Sequence, residues 1–393
     1  EAFGGNGYDT QSESHMEALI NPDVLRWARE RASLSTSTLA KSLGTQEDNV
    51  LAWEQGKKKP SFTQAMNYAR QTYIPFGYLY LSQPPEENLP LPDLRTVNGK
   101  REPGYSLALM DTIRWAMERQ DWYRDYLTSQ GVTENRVVGR FSVSDNVDVI
   151  VADIRTTLGI ANKPNRGDFD DYFKSLVGKI EAAGILVMRN SIVNNNTSRP
   201  LLVEEFRGFA ISDKLAPVIF INTADCPEAR LFTLAHELSH IWIGRSGVSD
   251  GEPQNHRSEE ILCNAVAAEL LTPEREFLSV WGADVEWQEN ILPQTKFFHV
   301  SDWVIARRAL TFNLITASEY DAFIAKKTAE HRAHSRNGAP PYKGLQTGRV
   351  SKTLATAVAS EALSGRMLYR DAARLIGVKP HKLSDYSKKE LGF

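Results

Sequence analysis

Cysteine is scarce in this chain, which has two cysteines, Cys226 and Cys263, among 393 residues. Neither belongs to a C-x-x-C pair, so the sequence predicts neither a disulfide framework nor a cysteine-rich zinc site. Sparse cysteine of this kind is typical of proteins in a reducing compartment, and the cytoplasm is therefore the predicted location.

Long apolar runs are also lacking. No stretch approaches the roughly 20 apolar residues needed to cross a bilayer, and no secretory signal is recognisable. We therefore expect no membrane partner. Residues 1–15 are polar and glycine-rich and end directly before Met16. We interpret them as an expression tag and Met16 as the native start, and we exclude the tag from the fold prediction.

An excess of positive charge is absent as well, since 46 Lys and Arg residues face 49 Asp and Glu residues, for a net charge of -3. A wholly basic nucleic-acid coat protein is thereby excluded, and contact with nucleic acid would require a local basic patch. The proportions of 41% hydrophobic and 24% charged residues are ordinary for a globular protein, and the length allows two or three domains.

The most specific motif is the pentapeptide His236-Glu237-Leu238-Ser239-His240. Residues four apart on a helix share one face, so the two imidazoles can bind one Zn²⁺. Glu237 follows the first ligand and can act as general base toward the water that the metal activates. A chance match has a probability on the order of one in a hundred for this length and composition.

Apolar residues on both sides of the motif predict a buried helix from about Glu228 to Ile243, ended by Gly244. Buried histidines and a buried glutamate are costly without a partner, which favours a metal site over a polar surface helix. A second strong helix is predicted from Ser258 to Leu271. Three short β-type runs precede both helices, at 185–188, 207–211 and 218–221.

A catalytic zinc site needs a third protein ligand and one open position. Glu260 and Asn264 lie one turn apart on the second helix, so both can point at the metal. His256 and Glu259 are rival ligands. Glu259 and Glu260 can also be interpreted as first-turn acids that the helix dipole stabilises. From the residues alone these alternatives stay open.

The stretch from Arg207 to Pro273 resembles the ImmA/IrrE family of metallopeptidases, and weaker similarity extends the match to roughly 168–330. The resemblance implies a zincin-like α/β domain with a small sheet, here bounded as 168–334, and it implies Glu260 as the third ligand. The chain departs from the family at Ser239, Cys263 and Val266. The segments that carry the resemblance are Arg207-Gly208-Phe209, Pro217-Val218-Ile219, Asn222, Arg230, Phe232 to His240, Glu260, Asn264, Ala267, Leu270, Leu271 and Pro273.

Cap residues and glycine stops predict four short helices between residues 21 and 81. This stretch resembles the XRE class of helix-turn-helix domains found in phage repressors and Cro proteins, and we assign residues 16–83 to such an all-α domain. The similarity lies mostly in core positions. They are Leu25, Ala28, Arg29, Ser35, Leu39, Ala40, Leu43, Gly44, Val50, Trp53, Glu54, Gly56, Pro60, Ser61 and Ala69.

Duplex DNA is the predicted partner of this domain. Gln46 and Asn49 suit adenine edges, and the run Lys57, Lys58 and Lys59 suits phosphates. The run Glu47-Asp48 would face the polyanion at the same place, although an acid can accept a hydrogen bond from cytosine. The alternative is a helical module used for dimerisation or for binding another protein.

The remaining segments are assigned by composition and periodicity. Residues 84–167 are predicted as a helical linker region, and residues 335–348, rich in Gly, Pro and Ser, as a second linker. Residues 349–393 form a helical C-terminal segment. Within it, Leu368–Val378 repeats a helix-glycine-turn pattern and is followed by the segment from Lys379 to Tyr386. A small docking bundle explains this pattern equally well.

Two functions are compatible with these features. The first is a cytoplasmic zinc endopeptidase and transcriptional regulator that cleaves a helix-turn-helix repressor or similar regulatory protein, as the resemblance implies. The alternative is a DNA-binding regulator, or the antitoxin of a toxin–antitoxin pair, with a structural or vestigial zinc site. Further predicted partners are a toxin and a second copy of the chain. Glu237 favours the enzyme, because a purely structural site has no use for a base.

Overall fold

A computed structural model of the chain describes residues 20–86, 91, 106–161, 163–249, 257–335 and 349–393, without the side chains of 331–335. The predicted tag and the candidate ligand His256 lie outside these residues. The chain divides into two compact units. The first comprises Glu1–Pro90 with Tyr105–Leu107, and the second comprises Leu91–Gly104 with Ala108–Phe393.

The first unit is helical, and α1, α2 and α4 begin at predicted caps, whereas α3 begins after Gln46 without a side-chain cap. Asn21, Ser35 and Ser61 each accept a hydrogen bond from a backbone N–H of the helix that follows, and Ser61 forms a capping box with Gln64. Gly44 ends the second helix with a left-handed φ of 63°. The elements are α1 (Pro22–Arg31), α2 (Thr36–Leu43), α3 (Glu47–Glu54), α4 (Phe62–Gln71) and a 3-10 helix (Phe76–Tyr80).

A buried ion pair lies inside this small helical core. Both carboxylate oxygens of Glu54 accept hydrogen bonds from Arg29 at 2.8 Å, and the Tyr68 hydroxyl donates to the same carboxylate at 2.7 Å. Glu54 and Tyr68 are almost completely buried beside Trp53. The Glu54 carboxylate of α3 is therefore linked to α1 by a bidentate contact with Arg29 and to α4 by the Tyr68 hydroxyl.

The second unit combines helices with a small sheet, so the chain is of mixed α+β class, as predicted. None of the described helices has the length and apolar character that a membrane span requires. The helices are α5 (Leu107–Ser129), α6 (Val147–Leu158), α7 (Phe169–Ala182), α8 (Pro227–Trp242), α9 (Ser258–Leu271), α10 (Glu274–Val280), α11 (Trp287–Phe298), α12 (Asp302–Thr311), α13 (Ala317–Ser335), α14 (Lys352–Leu363), α15 (Tyr369–Ile376) and α16 (Leu383–Tyr386).

The sheet has four strands in the order β1-β5-β4-β6, and a separate hairpin pairs β2 with β3. Strand β1 runs parallel to β5, whereas β4 is antiparallel to both β5 and β6. The two central strands are entirely buried, as expected for a sheet covered by helices. The strands are β1 (Leu186–Asn190), β2 (Ile192–Val193), β3 (Asn196–Pro200), β4 (Gly208–Ile211), β5 (Val218–Asn222) and β6 (Gly247–Ser249).

Helices α8 and α9 pack against each other and, with α6, α7, α11 and α12, enclose the main core of the second unit. Three arginines donate hydrogen bonds to the last carbonyls of α9, at residues 270–272: Arg155, Arg166 and Arg308. Cations at a helix C-terminus satisfy carbonyls that lack intrahelical partners and interact favourably with the dipole. The position of α9 along its axis is therefore fixed from its C-terminal end.

Several elements escaped the sequence prediction. Helix α6 was not predicted, although its buried face at Ile150 and Ile154 belongs to the main core. Hairpin β2–β3 and strand β6 were also missed, because they are short and carry no clear alternation of apolar and polar residues. In contrast, α9 has the predicted bounds, and α8 ends one residue before the predicted Ile243.

We predict that Glu54→Ala opens the first unit. The change leaves the part-buried Arg29 charge without its carboxylate and the Tyr68 hydroxyl with the Leu25 carbonyl as acceptor, which should cost on the order of 3 kcal/mol. Peptide-resolved hydrogen exchange would report this loss as faster exchange in α1, α3 and α4. The exposed Asp48→Ala is the matched control on α3 and should cost less than about 1 kcal/mol. Equal exchange in both variants would contradict the prediction.

Candidate metal centre

The helix that carries the histidine motif is built to be buried. Pro227 occupies its first turn, where a missing N–H is harmless, and Gly244 follows its end with a φ of 65°. Every residue from Thr233 to Trp242 is buried. His236, Glu237 and His240 therefore lie in the interior, and their polar atoms must find partners there.

Glu260 on α9 meets both histidines of α8. Its two carboxylate oxygens lie 3.2 Å from His236 Nε2 and 3.1 Å from His240 Nε2. The two Nε2 atoms are 3.1 Å apart. The structure thus brings together the three predicted ligands, which form a group that could hold a metal ion.

The spacing of these atoms agrees with one small cation. Ligands bound tetrahedrally at about 2.0–2.1 Å lie about 3.3 Å from one another. The observed separations of 3.1–3.2 Å are close to that value. Two imidazoles and one carboxylate are also a donor set that Zn²⁺ accepts, and they leave a fourth position for water or substrate.

Asn264 orients the first of these imidazoles. Its Oδ1 lies 3.0 Å from His236 Nδ1, so an Nδ1–H group donates to the amide and Nε2 is the ring nitrogen that faces the cluster and can bind a metal ion. The sequence allowed the Asn264 side chain to point at the metal itself. The structure instead places its amide on the opposite side of the ring, where it fixes the tautomer.

The charges of the cluster depend on its burial. Burial alone would raise the pKa of Glu260, but hydrogen bonds from His236 and His240 outweigh burial and hold that pKa well below its usual value. Burial lowers the pKa of His236, yet its hydrogen bond to Glu260 and the neighbouring carboxylates raise it to about 9. For His240, burial dominates and lowers the pKa. Glu260 is therefore an ionised ligand.

Glu237 is fully buried, and neither of its oxygens accepts a hydrogen bond of normal geometry from a described residue. Glu260 Oε1 lacks one as well, but it lies 3.1 Å from His240 Nε2. Burial raises the pKa of Glu237 to about 8; His236 opposes this shift, Glu260 adds to it, and Ser249 opposes it weakly. An unpartnered buried carboxylate with a pKa near neutrality is typical of a proton-transfer group.

Strand β4 passes close to this carboxylate at Gly208. A Cβ atom on Gly208 would lie 3.0 Å from Glu237 Oε1, 2.8 Å from the Phe220 carbonyl and 2.7 Å from Thr233. Gly208 pairs with Ser249 across β4 and β6. The strand pair therefore borders Glu237 directly, and a side chain at position 208 would have to displace it.

Sequence reasoning did not assign a role to Gly208 or to Ser249. The triplet Arg207-Gly208-Phe209 marked the family resemblance, which was the available signal for Gly208. Ser249 gave no signal, because its closeness to Glu237 arises from strand pairing. Among the rival ligands, Glu259 is half-buried and lies outside the group of three.

The predicted DNA-contact residues lie in the first unit. Gln46 precedes α3, is exposed and forms no side-chain cap. The Asn49 amide donates to Thr45 Oγ1 and accepts from Lys58 Nζ, both at 3.0 Å. Lys57, Lys58 and Lys59 are exposed. The assignment of these residues to DNA contacts stays a prediction.

Residues 180–310 match the peptidase M78 family. The matching model is described as an IrrE N-terminal-like domain, and its range includes the three candidate ligands and Glu237. This part of the chain is therefore similar to zinc metallopeptidases, which agrees with the predicted ImmA/IrrE resemblance.

The match to the M78 family covers about a third of the chain and does not extend to the first unit. Residues 350–389 match a second model, described as a domain of unknown function, DUF8813. No curated protein matches the chain. The XRE-type helix-turn-helix assignment therefore stays a prediction from the sequence.

We predict that Asn264→Ala weakens Zn²⁺ binding by about 10–100-fold, the range typical for removing a group that orients a ligand. Competition with a chromophoric zinc chelator would measure the change. His236→Ala removes a ligand itself and should abolish binding. Glu259→Gln is the matched control on α9 and should bind Zn²⁺ normally. If Glu259→Gln weakened binding as much as Asn264→Ala, the assignment of these two residues would be wrong.

Proposed function

We propose that this chain is a zinc-dependent endopeptidase that cleaves a regulatory protein of the helix-turn-helix class. The observation that carries the proposal is the convergence of His236, His240 and Glu260 at 3.1–3.2 Å beside the unpartnered carboxylate of Glu237. The M78 match supports peptidase chemistry at this position. The substrate class rests on the ImmA/IrrE resemblance.

In this proposal His236, His240 and Glu260 hold the zinc, and Asn264 fixes the orientation of His236. Bound zinc supplies a Lewis acid, which polarises a carbonyl oxygen and lowers the pKa of water. Glu237 is the general base that takes a proton from the attacking water and passes it to the leaving amine. Its burial and lack of a hydrogen-bond partner keep this carboxylate available for that proton.

We predict that Glu237→Gln abolishes cleavage but not folding or zinc binding. Glutamine keeps the size of the side chain and removes the base, so the cleavage rate should fall by at least about 10²–10⁴-fold. The substrate would be identified by co-expression with neighbouring gene products, as the one cleaved by the unaltered chain alone. Zinc content and thermal melting of both proteins serve as controls.

A gene reporter separates the peptidase from its alternative. If Glu237→Gln regulates its target genes as well as the unaltered chain does, proteolysis is not the function. The chain would then be a DNA-binding regulator or antitoxin whose zinc site is structural. Loss of regulation in Glu237→Gln with zinc still bound supports the peptidase.

We further propose that the first unit binds duplex DNA. The supporting observations are the capped helix α2 and the helix α3 that follows it after a tight left-handed turn at Gly44, and the exposed lysines 57–59. Glu47 accepts a hydrogen bond from Thr36, so its carboxylate is engaged with α2. DNA contact by Asn49 requires exchange of its bonds to Thr45 and Lys58.

We predict that replacing Lys57, Lys58 and Lys59 with alanine flattens the salt dependence of DNA binding. Each phosphate that is no longer neutralised should reduce the slope of log affinity against log salt by about 0.9. Fluorescence anisotropy with a labelled duplex over a salt series measures this slope. If the unaltered chain bound no DNA at low salt, the first unit would instead be a module for binding proteins.

A further inference from the structure

The C-terminal tail, defined here as residues 349–393, forms three helical segments. Helix α14 is followed by α15, and a last segment runs from Pro380 through α16 to Leu391. Gly377 separates α15 from this last segment and has a left-handed φ of 82°. The tail belongs to the second unit and contains the region that matches the domain of unknown function.

The turn at Gly377 repeats the turn at Gly44 of the first unit. Helices α2 and α15 each have eight residues and end directly before the glycine. The residue after each glycine donates a backbone hydrogen bond of 3.0 Å to the carbonyl five residues earlier, from Thr45 to Ala40 and from Val378 to Ala373. The next residue is extended in both cases and precedes the second helix.

The buried positions also correspond when 333 is added to each residue number of the first unit. Ala40 and Ala373 are the small residues packed inside the turn, and both are at most 3% exposed. Val50 of α3 corresponds to Leu383 of α16, and both are fully buried. The tail thus repeats the helix, the turn and the start of the second helix of the first unit. Its last segment is less regular than α3, because it consists of a 3-10 turn, the short helix α16 and a π turn at Ser387–Leu391.

The exposed residues of the second helix differ between the two copies. The first turn of α3 carries Glu47 and Asp48, which oppose a polyanion. The corresponding positions of the tail are Pro380 and His381. Four exposed lysines surround the last segment, and none forms an ion pair among the described residues: Lys379, Lys382, Lys388 and Lys389.

The contacts of the tail with the rest of its unit involve other parts of it. Glu181 of α7 accepts hydrogen bonds from the first N–H groups of α14. Arg119 of α5 donates to the Arg374 carbonyl at 3.0 Å, and Asn195 of the β2–β3 hairpin donates to the Gly377 carbonyl. In the described residues, the hydrogen bonds of segment 380–391 stay within the tail. These contacts explain how α14 and α15 are held against the rest of the unit, but they do not involve the four lysines.

We propose that the tail is a second DNA-binding element, separate from the peptidase centre and from the first unit. The segment Pro380–Leu391 enters the major groove as the second helix of a helix-turn-helix, and its lysines contact phosphates on either side. The hairpin beside the turn has an exposed, uncharged tip, from Asn194 to Ser198, so it does not repel the duplex. Duplex DNA is favoured over an acidic protein because the turn geometry points to the same ligand as the charge of residues 379–391, where the four lysines outnumber the exposed acids Asp385 and Glu390.

The test uses the full chain and a labelled 30-base-pair duplex of mixed sequence in fluorescence anisotropy over a salt series. Replacing the four tail lysines with alanine should reduce the salt slope by about 0.9 for each phosphate that the variant no longer neutralises. The matched control removes four exposed lysines elsewhere in the same unit and should leave the slope unchanged. These control positions are Lys163, Lys174, Lys214 and Lys326. Circular dichroism checks that both variants fold.

Three outcomes would overturn the proposal. An unchanged slope in the tail variant is the first, and an equal reduction in the control variant, which would mean a general charge effect, is the second. The third is a tail variant that binds DNA normally but no longer binds an acidic partner protein, which would make the tail a protein-docking surface. The alanine variant of lysines 57–59 is measured in parallel, so a failure of the first unit to bind DNA is recognised separately.

Discussion

Four ionisable side chains are buried where α8 packs on α9, and their burial carries a free-energy cost that neighbouring residues of the second unit must offset. His236, Glu237, His240 and Glu260 are each at most 4% exposed. Such burial is unfavourable unless every charge finds a partner. Three of these groups lie 3.1–3.2 Å from one another, whereas Glu237 has no hydrogen-bond partner of normal geometry among the described residues. Packing gives no reason to keep a carboxylate there, so chemistry is the better explanation.

Helix α9 can place Glu260 accurately because its far end is held. Arg308 and Arg166 bind its last carbonyls and also pair with Glu269 and Glu276. These pairs are largely buried, which makes them geometrically specific rather than strongly stabilising. A ligand carried on a rigid helix keeps its separation from the histidines of α8 more precisely than a ligand on a loop would. The arginines therefore contribute to the metal centre indirectly, because they hold the helix that carries Glu260.

The features that could be predicted from the sequence were those set by neighbouring residues in the chain. Helix caps, the histidine spacing and the bounds of α9 depend on residues close together in the chain, and except at the start of α3 the structure has them as predicted. The close approach of Gly208 to Glu237 and the pairing of Gly208 with Ser249 depend on strands that are far apart in the chain. No local pattern encodes that contact. For Asn264 the sequence supplied the helix face but could not distinguish a metal ligand from a partner of His236.

The two kinds of site in this chain also differ in what their residues imply. A buried Glu237 lowers stability, so its presence in the core argues for a function that needs it. Ala40 and Ala373 are buried residues beside equivalent turns, so they report on the local fold and not on a ligand. Exposed lysines cost almost nothing to keep, so their number alone says little about a ligand. The four lysines of the tail, however, lie on one segment next to a turn that occurs twice in this chain. That arrangement, more than their number, supports a contact with DNA.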